Sequence, residues 1–130
     1  MQNNKRPQRP QILIVDDDEQ VLFLLERLLE KNNVESITST SAAEALSLIE
    51  STPSIKLVLL DISMPEVSGI ELLEKIHKLT PSVHVIMITG LNDVETAKKC
   101  MALGAKDFIT KPFDLDYLQT SVLSVVIQML

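Results

Sequence analysis

Short strand-like runs recur along this chain, each ending on a polar residue and each followed by a longer stretch with helical spacing. Ile12 to Val15 stops at Asp16, Leu57 to Leu60 stops at Asp61, and Val83 to Ile88 stops at Thr89 and Gly90. Strands that are apolar throughout, rather than on alternate residues, suit a parallel sheet covered on both faces. Between them, Val21 to Leu29 has helical spacing and Val34 to Thr38 is a weaker strand. Ser41-Ala42-Ala43-Glu44 has the capping-box pattern and opens a helix to about Glu50. Ile70 to Leu79 is helical, with Leu72, Leu73, Ile76 and Leu79 apolar. Asp93 caps a helix to about Leu103, which Gly104 stops. Phe108 and Ile109 form a short strand before Lys111-Pro112, and Asp114 caps the last helix. The result is a β–α unit repeated five times, which predicts right-handed crossovers and one doubly wound α/β domain. In open sheets of this kind ligands bind outside the carboxyl ends of the strands.

Those ends carry the chemistry. Asp16, Asp17 and Asp18 follow the first strand, Asp61 the third, Thr89 the fourth and Lys111 the fifth; the second contributes nothing chemical. Two carboxylates about 4 Å apart repel by roughly 4 kcal/mol at an effective dielectric near 20. A cation relieves this, and hard oxygen ligands favour Mg²⁺ or Ca²⁺ over zinc. No EF-hand loop is present. Mg²⁺ takes one or two carboxylates, keeps waters and completes its shell with phosphate. Lys111 and Thr89 can each donate to a phosphoryl oxygen. A carboxylate can itself be the nucleophile, giving an aspartyl phosphate. Asp61 is the candidate because it stands alone on the central strand.

The segments ILIVDDDE, VLLDISMPEVSG, VIMITG and GAKDFITKPF, in that order and spacing, resemble the receiver domains of bacterial two-component response regulators. The likeness runs from residue 11 to residue 130, leaving 1–10 as a disordered basic tail with Lys5, Arg6 and Arg9. It implies a flavodoxin-like three-layer (βα)5 sandwich, with a parallel sheet in the order 2-1-3-4-5. It implies that Asp61 is the phosphoacceptor for a partner histidine kinase or phosphotransfer protein. Asp16, Asp17, Asp61 and the Ser63 backbone carbonyl would hold Mg²⁺, with Asp17 and Asp61 direct and Asp16 mostly through water. Thr89 and Lys111 would bind the phosphoryl oxygens, and Thr89 and Phe108 would switch the face formed by the fourth helix, fifth strand and fifth helix. The bond before Pro112 would be cis. Gly90 stands where the family often has Ala, and Phe108 where many members have Tyr. Leu91 brings nothing to guide hydrolytic water, so a fairly long-lived phosphoryl state is expected.

Other residues have plainer readings. Asp18 is a helix cap, His77 and His84 are surface or filler residues, and Cys100 packs beside Ala97 and Met101. With one cysteine there is no intrachain disulfide. A net charge of −6 argues against gripping a phosphate backbone. No apolar run reaches 18 residues and no signal peptide is evident, so the chain is expected to be soluble and cytoplasmic. A haloacid-dehalogenase-type phosphatase also uses a strand-end Asp and Mg²⁺, but its box would need Thr or Val where Gln20 stands. A nucleotide-binding fold lacks a phosphate loop, because Gly69, Gly90 and Gly104 are the only glycines. A pseudo-receiver that pairs without phosphate has no use for the full Asp17, Asp61, Thr89 and Lys111 set. In the last helix Leu115, Leu118, Val122, Val125, Val126 and Met129 form a core face. Leu123, Ile127 and Leu130 form a second stripe, expected to be exposed in a monomer and to mark an interaction surface, either for a homodimer or for a linker helix or a further domain.

Overall fold

A computed structural model of the chain describes residues 11–64, 67–90 and 94–128. The basic segment 1–10, Pro65 of the Met64-Pro65 turn, Leu91, the Asp93 cap, and Met129 and Leu130 of the last helix lie outside these residues. Five strands alternate with five helices: β1 (Ile12–Val15), α1 (Glu19–Lys31), β2 (Ser36–Ser39), α2 (Ala42–Ser51), β3 (Leu57–Asp61), α3 (Gly69–Leu79), β4 (His84–Thr89), α4 (Val94–Ala102), β5 (Asp107–Thr110) and α5 (Leu115–Gln128). The sheet is parallel, in the order β2-β1-β3-β4-β5.

Every residue of β1 and β3 is buried, as expected for strands covered on both faces. Alternate side chains divide the core. Leu13, Val15, Val58, Leu60, Val85 and Met87 pack with α2, α3 and α4; Ile12, Ile14, Leu57, Leu59, Ile86, Ile88 and Ile109 pack with α1 and α5. This is the expected three-layer sandwich. Registers Val15↔Leu60, Asp61↔Ile88 and Thr89↔Thr110 bring the strand termini to one edge.

Several local expectations are revised. β2 begins at Ser36 because Val34 belongs to the end of α1. Asn33 has φ 61°, its amide donates to the Glu30 carbonyl, and the Val34 amide donates to that of Leu29. That is a Schellman closure, with Val34 and Leu29 both buried as its apolar contact. Only half of the capping box at α2 forms. Ser41 Oγ accepts from the Glu44 amide, but the Glu44 carboxylate takes the Ser39 hydroxyl at 2.8 Å, and the Ser41 amide turns to Ser39 Oγ. In α5, Leu118, Val122, Val125 and Val126 are buried as expected, whereas Leu115, the first residue of the helix, is exposed. Of the second stripe, Leu123 is half-buried against the core, and Ile127 is 67% exposed.

Candidate phosphoacceptor site

Each candidate side chain is delivered by a strand terminus. Asp16, Asp61 and Thr89 are buried there, and Asp17 is exposed. The Asp18 amide donates to Asp16 Oδ1 at 2.9 Å, and the Asp16 amide donates to the Ser39 carbonyl at 3.1 Å. Asp18 itself caps α1, accepting from the Gln20 amide, as expected. The Ser63 amide donates to Asp61 Oδ1 at 3.2 Å, and the chain after it turns so that Ser63 bridges Ser68 and the Gly69 amide returns to the Ile62 carbonyl. Gly69 is needed there: a Cβ would lie 2.7 Å from Ile62 Cα.

Lys111 reaches in from the position directly after β5, and the bond that joins it to Pro112 is cis. Its Nζ lies 3.0 Å from Asp16 Oδ2 and 4.0 Å from Asp61 Oδ1, so it leans toward Asp16 rather than Asp61. Burial alone would lower the pKa of this ammonium, but the summed pull of Asp16, Asp61 and Asp18 outweighs it and leaves it raised. Burial also raises the Asp16 carboxyl. It pushes Asp61 up to about 6, with the Asp16 charge adding to it. Both carboxylates are held at a cost that a cation would remove.

The residues fit such a cation. Among the described residues, Asp16, Asp17 and Asp61 offer ligand atoms all within 4.8 Å of one another. Asp16 Oδ2 is buried without a well-formed hydrogen bond, its close neighbour being the Lys111 ammonium. An all-oxygen set of this charge suits Mg²⁺. The Thr89 hydroxyl donates to its neighbour's carbonyl, Gly90 O, at 3.0 Å, and so is not bound to Asp61. Phe108 is half-buried against the α3–α4 side of the core. Cys100 packs in the core as expected, and burial raises its thiol. His77 and His84 are half-buried and outside the site.

Sequence reasoning passed over two groups. Ser39 at the end of β2, buried to 2%, buttresses Asp16 through its carbonyl and α2 through its hydroxyl. Asp107 takes hydrogen bonds from Tyr117 and Ser121 of α5. Neither lies at a strand-end acid, which was the signal followed.

A family model for the response regulator receiver domain matches residues 12–123. The chain is 33% identical over 111 residues to a cyclic di-GMP phosphodiesterase of Thermotoga maritima, covering 85% of this chain and 29% of that protein. It is 36% identical over 110 residues to the DNA-binding transcriptional regulator NtrC of Escherichia coli K12, covering 84% of this chain and 23% of that one. It thus spans about a quarter of each. A crystal structure of a receiver domain from Clostridium thermocellum superposes with TM-score 0.84 at 32% identity, covering 92% of this chain and 95% of that one. A CheY-like receiver from Methanospirillum hungatei gives 0.83 at 36%, covering 91% and 94%.

Proposed function

The chain belongs to the response regulator receiver family, and on that premise we propose that it accepts a phosphoryl group on Asp61 from the phosphohistidine of a sensor kinase or phosphotransfer protein. The observation that carries this reading is a buried carboxylate, next to a second acid and within 4.0 Å of an ammonium, at the end of a central strand. In the reaction an Asp61 oxygen attacks the donor phosphorus. The new O–P bond forms as the P–N bond breaks, and the electron pair leaves on the imidazole nitrogen. The Lys111 ammonium and the Thr89 hydroxyl meet the charge on the transferred oxygens. Mg²⁺ held by Asp16, Asp17, Asp61 and the Ser63 carbonyl would neutralise the same charge when bound.

The donor has a ready approach. A groove of about 410 Å³ runs between α1 and the loop into α5, lined by Val21, Leu24, Pro112, Phe113 and Leu115, with Lys111 at its side. An apolar helix face fits it and would bring a histidine toward Asp61. After transfer, Thr89 turns from Gly90 to the phosphoryl group, Phe108 moves into the space left, and the α4-β5-α5 face changes. This is a population shift, driven by contacts that exist in one state only. The receiver unit comprises residues 11–130, with the basic segment 1–10 appended. Self-association through α5 would use the exposed Ile127. The acidic net charge of −6 argues against direct nucleic-acid contact by this chain. No helix among the described residues is long and apolar enough to cross a membrane, and a kinase-fed receiver works in the cytoplasm.

Incubation with acetyl phosphate and Mg²⁺, followed by intact-mass measurement, tests the reading. One phosphoryl group is expected, lost in Asp61→Asn and lost with a chelator. Labelling of Asp61→Asn at the normal rate would overturn the assignment, and turnover of a generic phosphate ester would point to a phosphatase instead.

A further inference from the structure

Asp107, the first residue of β5, lies outside the acid cluster, yet three donors converge on it. The Phe108 amide donates to Oδ1 at 2.8 Å; the Tyr117 hydroxyl at 2.7 Å and the Ser121 hydroxyl at 2.6 Å both donate to Oδ2. Hydrogen bonds of this length to a carboxylate belong to the strong class. Tyr117 and Ser121 stand one turn apart on α5, so a single carboxylate clasps two successive turns of that helix. The neighbours of Asp107 in β5 face the other way or cover the core: Phe108 packs on the α3–α4 side, and Ile109 packs with α5. The buried face of α5 is aliphatic, with Leu118, Val122, Val125 and Val126 in the same core cluster as Ile109. Apolar contacts of that kind slide; this clasp has a direction and a length.

The position of the clasp gives it a consequence. The Asp107–Tyr117 bond closes a segment whose ends are ten positions apart and which contains Phe108 and Lys111. The proposed switch moves Phe108, and Lys111 meets the incoming phosphoryl oxygens. β5 is an edge strand of four residues, paired on one side by β4. Lys111 is joined to the first turn of α5 through Pro112, Phe113 and Asp114. A bond that closes this segment cannot be indifferent to a change in its shape. It stands here together with the Thr89 hydroxyl turned to Gly90 O.

We propose that Asp107, with Tyr117 and Ser121, is a positioning clasp that holds β5 and α5 in the arrangement where Thr89 is turned away from Asp61, and that phosphoryl binding opens it. The proposal rests on the receiver reading above. By reciprocity, a contact made in one state and lost in the other lowers the affinity of any ligand that favours the other state. Removing the clasp therefore tightens binding of a phosphoryl mimic, although none of these three residues touches the site.

The test is calorimetric titration with beryllofluoride in saturating Mg²⁺, on the full chain. Tyr117→Phe and Asp107→Asn are expected to bind about fivefold or more tightly than the parent, the lower end of ordinary coupling. Ser121→Ala, the mildest change, should fall between. Tyr117 is the only tyrosine and there is no tryptophan, so intrinsic emission in the parent reports this phenol alone. Its emission should change along the same saturation curve, as the quenching carboxylate is withdrawn. Unchanged or weaker binding in the variants, or flat tyrosine emission while beryllofluoride binds the parent, overturns the clasp and leaves the receiver reading standing. Failure of the parent to bind beryllofluoride, with Asp61→Asn indistinguishable from it, overturns the receiver reading and the clasp with it.

Discussion

Replacing Asp61 by Asn should make the metal-free protein more stable, although it removes the residue on which the proposed chemistry depends. The Asp61 carboxyl rises from 3.8 to about 6, first by burial and then by the charge of Asp16. At about 1.4 kcal/mol for each tenfold, that rise corresponds to about 3 kcal/mol. Asn resembles the neutral acid in shape, and its amide oxygen can still accept from the Ser63 amide, which now donates to Asp61 Oδ1. The sign follows from which state ionises first. Below about pH 4 the group is protonated in both states and weighs on neither. Between about pH 4 and pH 6 the unfolded chain gives up its proton first, so stability falls as pH rises. Above about pH 6 the full difference of about 3 kcal/mol is present. Urea denaturation of both proteins in chelator, across this range, reads it as a gap that opens with pH. Saturating Mg²⁺ should narrow the gap, since a ligand of the folded state stabilises the parent by mass action. Equal stability above about pH 6, or a less stable Asn variant, would refute the idea that the site is held at a cost.

Asp17→Ala should weaken Mg²⁺ binding without lowering metal-free thermal stability, because it thins the cluster of Asp16, Asp17 and Asp61; marked destabilisation would make Asp17 chiefly structural. Gly69→Ala should cost about 3 kcal/mol or more in denaturant titration, since the new Cβ meets backbone at Ile62 Cα. The Tyr117 phenol is pushed up to about 12, first by its hydrogen bond to Asp107, so absorbance titration should place it there and Asp107→Asn should return it toward 10. The stability this bond lends is present below pH 10 and is lost as pH rises through about 12. Ile127→Glu should shift a monomer–dimer equilibrium toward monomer in sedimentation, with and without beryllofluoride; a strict monomer in both states defeats self-association through α5.

The sheet was legible because β1, and β3 up to its terminal Asp61, are apolar at every position, which neither an amphipathic helix nor a half-exposed strand would be. The acids at 16, 17 and 61 were legible for the same reason: a charge that ends an apolar strand stands out. Segments governed by backbone closure were less legible. Val34 looks like a strand residue until Asn33 adopts its left-handed conformation and makes it the last contact of α1. Ser41 and Glu44 satisfy a capping-box pattern, but which donor the Glu44 carboxylate takes depended on where Ser39 would lie, and that is tertiary information. Asp107 was hidden most completely. Its partners lie ten and fourteen residues away, at no fixed periodicity, and nothing in GAKDFITKPF marks that acid as bonded rather than solvated.

The parallel arrangement sorts the connections of this protein into two sets. Every residue assigned to phosphoryl chemistry ends a strand or closely follows one, while the return turns, such as Thr52–Lys56 and Thr80–Val83, lie at the opposite edge of the sheet. There Ser51, Lys56, Pro81 and Ser82 are exposed. That edge is open ground for an engineer. A reporter peptide or an entire fluorescent module spliced between Pro81 and Ser82 would hang from the far side of the sheet, with its junctions the depth of the sheet away from Asp61. New termini cut at the same place would interrupt no strand pairing and no helix.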